Sequence, residues 1–250
     1  MRLMDCLSLG LAGASGKLGR RILALALEDQ DFSVACGLGG VSCLNEDLGA
    51  LAGKEKIGLF LTANMDELFE KSSLVIDVSA AVNLPNLLDG ACKKKKPVVI
   101  GTTGHSEDNF KLMKEAAQSI PLFYTPNFSL VVSAMTNATT LLSRMLSDLC
   151  TIKIIETHHV HKKDQPSGTA QQLSRCVEEA SSQSPSIESQ RMGEVIGDHT
   201  IIFSCDDEEL TLTHRSLSRN VFAKGALLTA KFLARQPPGL YSMAELLRRQ

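Results

Sequence analysis

The 250-residue chain contains no tryptophan, and aromatic residues make up only 4% of it. Few rings are therefore available to stack on bases, and 26 basic against 28 acidic residues leave no positive excess to bind a phosphate backbone. The sequence also lacks an apolar run of about 18 residues, the length that a membrane-spanning helix needs. These absences argue against a nucleic-acid-binding or membrane protein, and the remaining composition is typical of a globular one.

The seven cysteines form no CxxC pair, so the sequence predicts neither a disulfide framework nor a zinc site built from thiolates. We expect reduced thiols in the core of a cytoplasmic protein. The first residues share some features of a secretory signal, with Arg2 near the start and Ala12-Gly13-Ala14 as a cleavage site. Asp5 interrupts the apolar part of this segment, however, and the glycines that follow have a better use in a ligand-binding loop.

The first half of the chain alternates short apolar runs with helical patterns. Such runs, each followed by a crossover, predict an α/β domain with a parallel sheet that is covered on both faces. The predicted strands are 5–12, 32–36, 57–61, 74–78, 98–101 and 122–124, and the predicted helices are 16–29, 64–71, 84–95 and 106–119.

From residue 127 onward the strands follow one another instead of alternating with helices, which indicates a second domain of α+β type. A Ser-rich stretch at 181–189 is predicted to be a mobile loop. The predicted helices are 129–149, 168–182, 219–235 and 242–249, and the predicted strands are 151–159, 200–205 and 209–214.

A glycine-rich segment joins the first predicted strand to the first helix. It reads Gly13-Ala14-Ser15-Gly16-Lys17-Leu18-Gly19, with the spacing GxxGxxG. In dinucleotide-binding proteins such glycines permit a tight turn and close approach to a pyrophosphate at a helix N-terminus. A structural turn is the alternative, but the position at the start of a β/α repeat favours a cofactor loop. The acidic residue that would hold the adenine ribose after the second strand is missing, since 34–41 reads VACGLGGV.

A second glycine-bearing turn, Gly101-Thr102-Thr103-Gly104, follows the predicted strand at 98–101. Strand ends on this side of an α/β sheet line the ligand crevice, so hydroxyls and bare backbone there suit a nicotinamide or ribose contact. A plain strand-to-helix turn with Ser106 as the helix N-cap fits equally well.

Three of the six histidines fall within four positions, at His158, His159 and His161, beside Lys162 and Lys163. This clustering predicts a catalytic or anion-binding site. A metal site is not predicted, because in an extended segment the first of the three histidines opposes the other two and no carboxylate at suitable spacing completes a ligand set.

The turn that follows, Pro166-Ser167-Gly168-Thr169, opens a helix and offers hydroxyls and backbone N–H groups to an anion. A substrate carboxylate suits this turn, with Ser167 or Thr169 as the hydroxyl that holds it. Lys162 and the imidazoles add positive charge and a proton source, which the reduction of a polarised double bond requires.

Together these motifs resemble the dihydrodipicolinate reductase family. The matching segments, in chain order, are the glycine turn, VVIGTTG, TPNFS at 125–129 and the pattern E(T)HHxHKxDxPSGTA. The resemblance implies an N-terminal Rossmann-like domain completed by C-terminal helices (1–126 and 217–250) and a central α+β domain for substrate binding and oligomerisation (127–216). It also implies a homotetramer that uses NADPH or NADH to reduce 4-hydroxy-tetrahydrodipicolinate, a cyclic dicarboxylate, in diaminopimelate and lysine biosynthesis.

The same resemblance implies roles for individual residues. His158 corresponds to the proton donor and Lys162 to its cationic partner, while His159, Gly168 and Thr169 correspond to substrate contacts. The implied cofactor contacts are Gly13, Ala14, Ser15, Gly16, Lys17, Leu18, Gly101, Thr102, Thr103, Thr125, Pro126, Asn127 and Phe128.

Three departures from the family pattern are visible. The acidic and basic pair after the second strand is replaced by Gly39-Gly40, the arginine after the fourth strand by Ala80, and 187–200 is shortened, which predicts the loss of a loop and a strand. Lys17 is then the nearest candidate for a 2′-phosphate contact, and we expect use of both cofactors with a modest preference for NADPH.

Two other functions fit parts of the sequence. A semialdehyde dehydrogenase of similar plan needs an activated nucleophilic cysteine, and none of the seven has such a setting. A non-catalytic dinucleotide-binding regulator would lack the histidine and lysine cluster.

Overall fold

A computed structural model describes residues 6–40 and 43–248 of the chain. The predicted element ends at residues 5 and 249, and Val41 of the segment after the second strand, lie outside these residues. The chain divides into two compact units, Met1–Phe128 with Phe222–Gln250, and Ser129–Val221. Among the described helices, none is both long and apolar enough to cross a membrane.

The elements alternate along the first unit and cluster by type in the second. The strands are β1 (Leu7–Ala12), β2 (Phe32–Leu38), β3 (Leu61–Thr62), β4 (Leu74–Asp77), β5 (Val98–Ile100), β6 (Pro121–Tyr124), β7 (Thr151–His158), β8 (Ser186–Arg191), β9 (Asp198–Ser204), β10 (Glu209–Arg215) and β11 (Gly239–Tyr241). The helices are α1 (Lys17–Ala26), α2 (Leu48–Leu51), α3 (Met65–Lys71), α4 (Leu84–Lys94), α5 (Glu107–Ala116), α6 (Leu130–Leu146), α7 (Gly168–Ala180), α8 (Asn220–Leu233) and α9 (Met243–Arg248).

The first unit contains a parallel sheet in the order β11-β6-β5-β4-β1-β2-β3 within the described ranges. The central strands β4 and β5 are buried along their whole length, as apolar runs covered on both faces should be. The reversal of strand order beside β1 creates the crevice in which ligands of such sheets bind. The predicted α/β fold class is confirmed, although the strand predicted at 57–61 is reduced to Leu61–Thr62.

The segment after the second unit returns to complete the first. Gly225 on α8 allows close packing, since a Cβ atom there would lie 1.9 Å from the carbonyl oxygen of Phe128. Beyond this helix, β11 adds a parallel strand beside β6, with Leu240 opposite Leu122. The edge strand beside β6 therefore comes from residues that lie far from β6 in the sequence.

The second unit has a sheet in the order β10-β9-β7-β8, with β7 and β8 parallel and the other pairs antiparallel. Its core contains Ile154, Leu173 and Phe203, all fully buried, which come from β7, α7 and β9. This arrangement is of the predicted α+β type.

The prediction of a mobile loop at 181–189 is wrong for the second half of this range, because Ser186–Arg191 forms β8 and pairs along its whole length with β7. β8 also occupies the start of the 187–200 segment, which the family pattern led us to expect to be shortened by a loop and a strand. The segment SIESQR has little apolar character because it forms the edge of the sheet, where only Ile187 packs against the core. Backbone pairing with β7, which composition does not reveal, decides its structure.

The expectation of reduced thiols is wrong for Cys150 and Cys205, which the structure joins by a disulfide with Cα atoms 4.2 Å apart. Both residues lie at the ends of paired strands, next to the antiparallel pair Thr151 and Ser204. Strand register, rather than spacing in the sequence, brings the two cysteines face to face.

Candidate active site

The glycine-rich loop after β1 depends on two glycines. Gly13 has a φ of +83°, and a Cβ atom there would lie 2.6 Å from the carbonyl oxygen of Val78. At Gly19, a Cβ atom would lie 2.1 Å from the carbonyl oxygen of Gly13. Any larger residue at this position would therefore prevent α1 from packing against the loop. Gly16 caps α1 without any side-chain hydrogen bond. The loop therefore presents bare backbone at a helix N-terminus, which suits a phosphate group.

A cavity of about 730 Å³ opens beside this loop at the carboxyl edge of the sheet. Gly39 and Gly40, where an acidic residue was missing from the sequence pattern, form part of its wall. The lining residues are Gly13, Ser15, Gly16, Leu38, Gly39, Gly40, Ala63, Met65, Asp66, Val78, Ser79, Ala80, Asn83, Asn86, Asp89, Gly90 and Lys93. The cavity fits a dinucleotide cofactor, because both glycine backbone and polar side chains line it.

The predicted loop residues divide between the cavity and its support. Ala14 is fully buried beneath the loop, Leu18 is half-buried, and Lys17 is exposed and is not one of the lining residues. The charged groups that line the cavity instead include Asp66 of α3 and Lys93 of α4. Sequence reasoning missed these two residues because they follow other strands and match no cofactor motif.

Asp77, at the end of β4, holds the neighbouring turn in place. It is 1% exposed, and its Oδ2 accepts a hydrogen bond of 2.7 Å from the Thr102 hydroxyl. Its Oδ1 accepts from the backbone N–H and the hydroxyl of Ser79, at 3.0 and 2.6 Å. Asp77 thus ties a cavity-lining residue to the second glycine turn, in which Thr103 is exposed.

The segment after β6 lies against the same sheet edge. The hydroxyl of Thr125 donates to the carbonyl oxygen of Asn127 at 2.7 Å, and Pro126 between them is exposed. Phe128 is buried beneath Gly101, where a Cβ atom would lie 2.2 Å from the Phe128 ring. The structure therefore brings the turns after β5 and β6 together, although neither lines the cavity beside the glycine loop.

In the second unit, Glu156 and His158 lie on the same face of β7, two residues apart. The Glu156 side chain is fully buried, and its Oε2 accepts a hydrogen bond from Nδ1 of His158. Its Oε1 accepts from Arg191 at 3.1 Å and from the backbone N–H of Ser167 at 3.3 Å. The period of two in a strand is the sequence signal that could have identified this carboxylate as a partner of His158.

Burial sets the protonation of this pair. Burial lowers the pKa of His158, and the charges of Lys162 and Arg191 lower it further, against the opposite effect of Glu156. Burial also opposes ionisation of Glu156, but hydrogen bonds from Ser189, His158 and Arg191 hold the pKa of its carboxyl below the usual range. Glu156 is therefore an anion at neutral pH, and His158 takes up a proton at a lower pH than an ordinary histidine.

His199 lies opposite Glu156 on β9 and was not predicted as part of the site. Its ring centroid lies 5.1 Å from that of His158, and its Nε2 is 3.2 Å from the Ser167 hydroxyl. Burial lowers the pKa of His199 to about 3, so this imidazole is neutral at physiological pH. Only the strand register, which the sequence does not state, places it here.

The helix start after β7 forms the exposed side of the site. The Ser167 hydroxyl is buried and accepts from the backbone N–H of Ala170 at 3.2 Å, which caps α7. Gly168 is exposed and Thr169 is half-buried. Lys162, with 21% of its side chain exposed, pairs with Asp164 at 2.7 Å.

A glycine-lined cavity on a parallel sheet and a buried histidine–carboxylate pair are features that suit an oxidoreductase of the dinucleotide-binding class. Residues 7–128 match the family profile described as "Dihydrodipicolinate reductase, N-terminus", and residues 131–247 match that described as "Dihydrodipicolinate reductase, C-terminus". The chain belongs to the dihydrodipicolinate reductase family, as its motifs predicted.

Individual relatives agree with this assignment. The chain is 36% identical to the 4-hydroxy-tetrahydrodipicolinate reductase of Aquifex aeolicus, over 95% of this chain and 97% of that one. It is 32% identical to the enzyme of the same name from Hahella chejuensis, over 96% and 98%. The fold is similar to that of the dipicolinate-bound dihydrodipicolinate reductase from Paenisporosarcina sp. TG-14, with a TM-score of 0.79, 19% identity and coverage of 95% and 98%.

Proposed function

We propose that this protein reduces 4-hydroxy-tetrahydrodipicolinate to tetrahydrodipicolinate with NADPH or NADH, a step of diaminopimelate and lysine biosynthesis. The observation that carries the proposal is the family match along both units, together with the Glu156–His158 pair at the end of β7. The pair also argues against a non-catalytic regulator. Family membership argues against a semialdehyde dehydrogenase. We also propose that the enzyme works in the cytoplasm.

The first unit would hold the cofactor. We assign the pyrophosphate to the loop from Gly13 to Leu18, and the nicotinamide side to the turns at Gly101, Thr102 and Thr103 and at 125–128. Asp77 supports this assignment because it fixes Thr102 beside the sheet edge. When bound, the reduced nicotinamide supplies the hydride for the reduction.

The second unit would hold the substrate and supply the proton. We assign the substrate carboxylates to His159, Gly168 and Thr169. Ser167 supports this turn, because its hydroxyl accepts the hydrogen bond that caps α7. The 4-hydroxyl group of the substrate leaves as water, and the double bond that this creates takes up the hydride and one proton. His158 delivers that proton through Nε2, since Nδ1 is held by Glu156. Lys162 adds positive charge, which stabilises the negative charge that develops on the substrate.

An assay with freshly prepared substrate tests the proposal. Nicotinamide absorbance should fall when enzyme is added to substrate with NADPH, and also with NADH. An enzyme that oxidises neither cofactor, although it binds them, would be a dinucleotide-binding regulator.

Replacement of Thr169 by valine should weaken substrate binding by about 1.5–3 kcal/mol, because a hydrogen bond to a charged group is lost. Cofactor affinity should stay the same, since the cofactor residues belong to the first unit. Measurement of the Michaelis constant for substrate and the dissociation constant for NADPH separates the two effects. Equal losses of both affinities would mean that the turn has only a structural role.

We propose that both cofactors are used, with a modest preference for NADPH, because Gly39 and Gly40 stand directly after β2 in place of the acidic residue that would repel a 2′-phosphate. Lys17→Ala should weaken NADPH binding by about 1 kcal/mol or less, as an exposed contact is worth little, and should leave NADH binding unchanged. Lys111→Ala, which removes an exposed lysine of α5, is the control.

The cavity offers a competitor to Lys17 in this role. Lys93 lines it and is paired with Asp89 at 2.6 Å. If Lys93→Ala rather than Lys17→Ala weakens NADPH binding selectively, the assignment of the 2′-phosphate contact moves to α4. Clear selectivity of the unaltered enzyme for NADH would contradict the proposed preference.

We also propose a homotetramer that assembles through the sheet of the second unit. Helices cover only the face that carries Ile154, whereas Ile155 and Ile202 lie on the opposite face and are half-buried. These two isoleucines lie among polar side chains such as Thr200 and Lys153, and a mixed sheet face of this kind suits contact with a second copy. Sedimentation analysis of the 27.0 kDa chain measures the oligomeric state directly.

A further inference from the structure

The second unit contains a buried ion pair to which no sequence motif assigns a role. It joins Glu156 of β7 to Arg191 of β8, with 0% and 16% of the two side chains exposed. Burying two opposite charges contributes little net stability, because the loss of hydration offsets their attraction. The contacts that the two residues make with their neighbours therefore indicate what the pair does.

Glu156 determines which nitrogen of the neutral His158 ring carries the proton. Because the carboxylate accepts a hydrogen bond from Nδ1, that nitrogen carries a proton in the neutral ring. Nε2 makes no hydrogen bond within the described part of the chain and lies beside Gly197, where a Cβ atom would come within 3.0 Å of it. The ring is thus held by one nitrogen and offers the other.

Arg191 fixes the loop that carries Lys162. Its Nε donates to the carbonyl oxygen of Lys162 at 3.3 Å, and its Nη2 donates to that of Asp164 at 2.7 Å. Its Nη1 bonds to Glu156 at 3.1 Å and to the carbonyl oxygen of Gln190 at 2.7 Å. One guanidinium therefore connects the carboxylate behind His158 to the backbone of the loop.

We propose that Glu156 and Arg191 are positioning residues for the reduction, with Glu156 orienting the His158 ring through Nδ1 and Arg191 coupling that carboxylate to the loop bearing Lys162. This inference rests on the proposed function, in which His158 and Lys162 take part in the reaction. The two groups that would act on the substrate are then held in one geometry by a single buried pair.

The charges that face His158 determine the expected pH behaviour. Glu156 on the same strand favours the protonated ring, whereas Lys162 in the following loop and Arg191 on β8 disfavour it. His199 on β9 is neutral, and Asp164 pairs with Lys162. Removing the negative charge of Glu156 therefore makes His158 lose its proton at a lower pH.

The test compares Glu156→Gln with Glu188→Gln, which alters an exposed carboxylate of β8 that pairs with Lys153. Glu156→Gln should lower kcat by about 10- to 100-fold, the scale of effect when a carboxylate that orients a metal-binding histidine is lost. The basic limb of its kcat profile should move to lower pH, because activity requires protonated His158. Glu188→Gln should keep the parental kcat and profile. A folded Glu156→Gln enzyme with the parental profile would overturn the inference.

A second variant covers the case in which Glu156→Gln does not fold. Arg191→Lys keeps the positive charge but loses the planar fork of donors, so it should lower kcat while the dissociation constant for NADPH stays unchanged. A parental kcat in this variant would overturn the coupling to the loop.

Nitrogen NMR of the His158 ring gives a readout that does not depend on activity. The neutral ring should be protonated at Nδ1 in the unaltered protein, and observation of the Nε2–H form would overturn the inference. If the unaltered protein has the Nδ1–H form but does not reduce the substrate, the proposed function fails while the orienting role of Glu156 stands.

Discussion

Replacing His158 by alanine lowers turnover by about 10²–10⁴-fold, the range expected when a general acid is removed. The ring lies at the end of β7 with 7% of its surface exposed, and Glu156 holds it by one nitrogen. No other side chain of the second unit occupies the same position, because His199 is buried beside Ser167 and stays neutral. Turnover at saturating substrate and cofactor is the measurement.

The control for this variant is His161→Ala, which removes an exposed histidine of the same cluster. It should retain near-normal turnover, and both variants should bind NADPH like the unaltered enzyme. A His158→Ala enzyme with near-normal turnover would remove the role that we assign to this residue.

Replacing Gly13 by alanine raises the dissociation constant for either nicotinamide cofactor by more than about 100-fold, since a strained backbone of this kind costs as much as 3 kcal/mol. Two effects combine at this position. The backbone has a φ of +83°, and the added Cβ atom would lie 2.6 Å from the carbonyl oxygen of Val78, which is backbone and cannot rotate away. The loop must then move out of the shape that admits a pyrophosphate.

Gly53→Ala separates backbone strain from the steric clash. Gly53 has a φ of +70°, but nothing lies within 4 Å of the position that its Cβ atom would take. This variant should lose some stability and keep cofactor affinity. Titration of cofactor fluorescence, together with the thermal midpoint of each variant, distinguishes the outcomes, and parental affinity in Gly13→Ala would contradict the role of the loop.

Local patterns predicted most of the first unit, because its central strands are mainly apolar and each is followed by a crossover. The strand from Leu74 to Asp77 and the helix from Leu84 to Lys94 differ from the predicted ranges by a single residue. The strand at Gly239–Tyr241 was missed because three residues carry no periodicity, and its pairing partner lies far away in the sequence.

In the candidate site, the sequence identified the residues that share a motif but not those that strand pairing supplies. Glu156 and His158 lie two residues apart, so their contact follows from the geometry of one strand. Arg191 and His199 reach the same cluster through the registers of β8 and β9, which place them opposite His158 and Glu156. Register depends on the packing of the whole sheet, and no segment of the sequence encodes it alone.

The interrupted first unit has a consequence for folding during synthesis. β6 cannot pair with β11 until Gly239–Tyr241 has been made, after the whole of Ser129–Val221. Until then β6 is an open edge with unsatisfied backbone groups, which can pair with another chain. The second unit holds its own core and can form while the first waits, so the nascent chain is most prone to misassembly just before its last helix emerges.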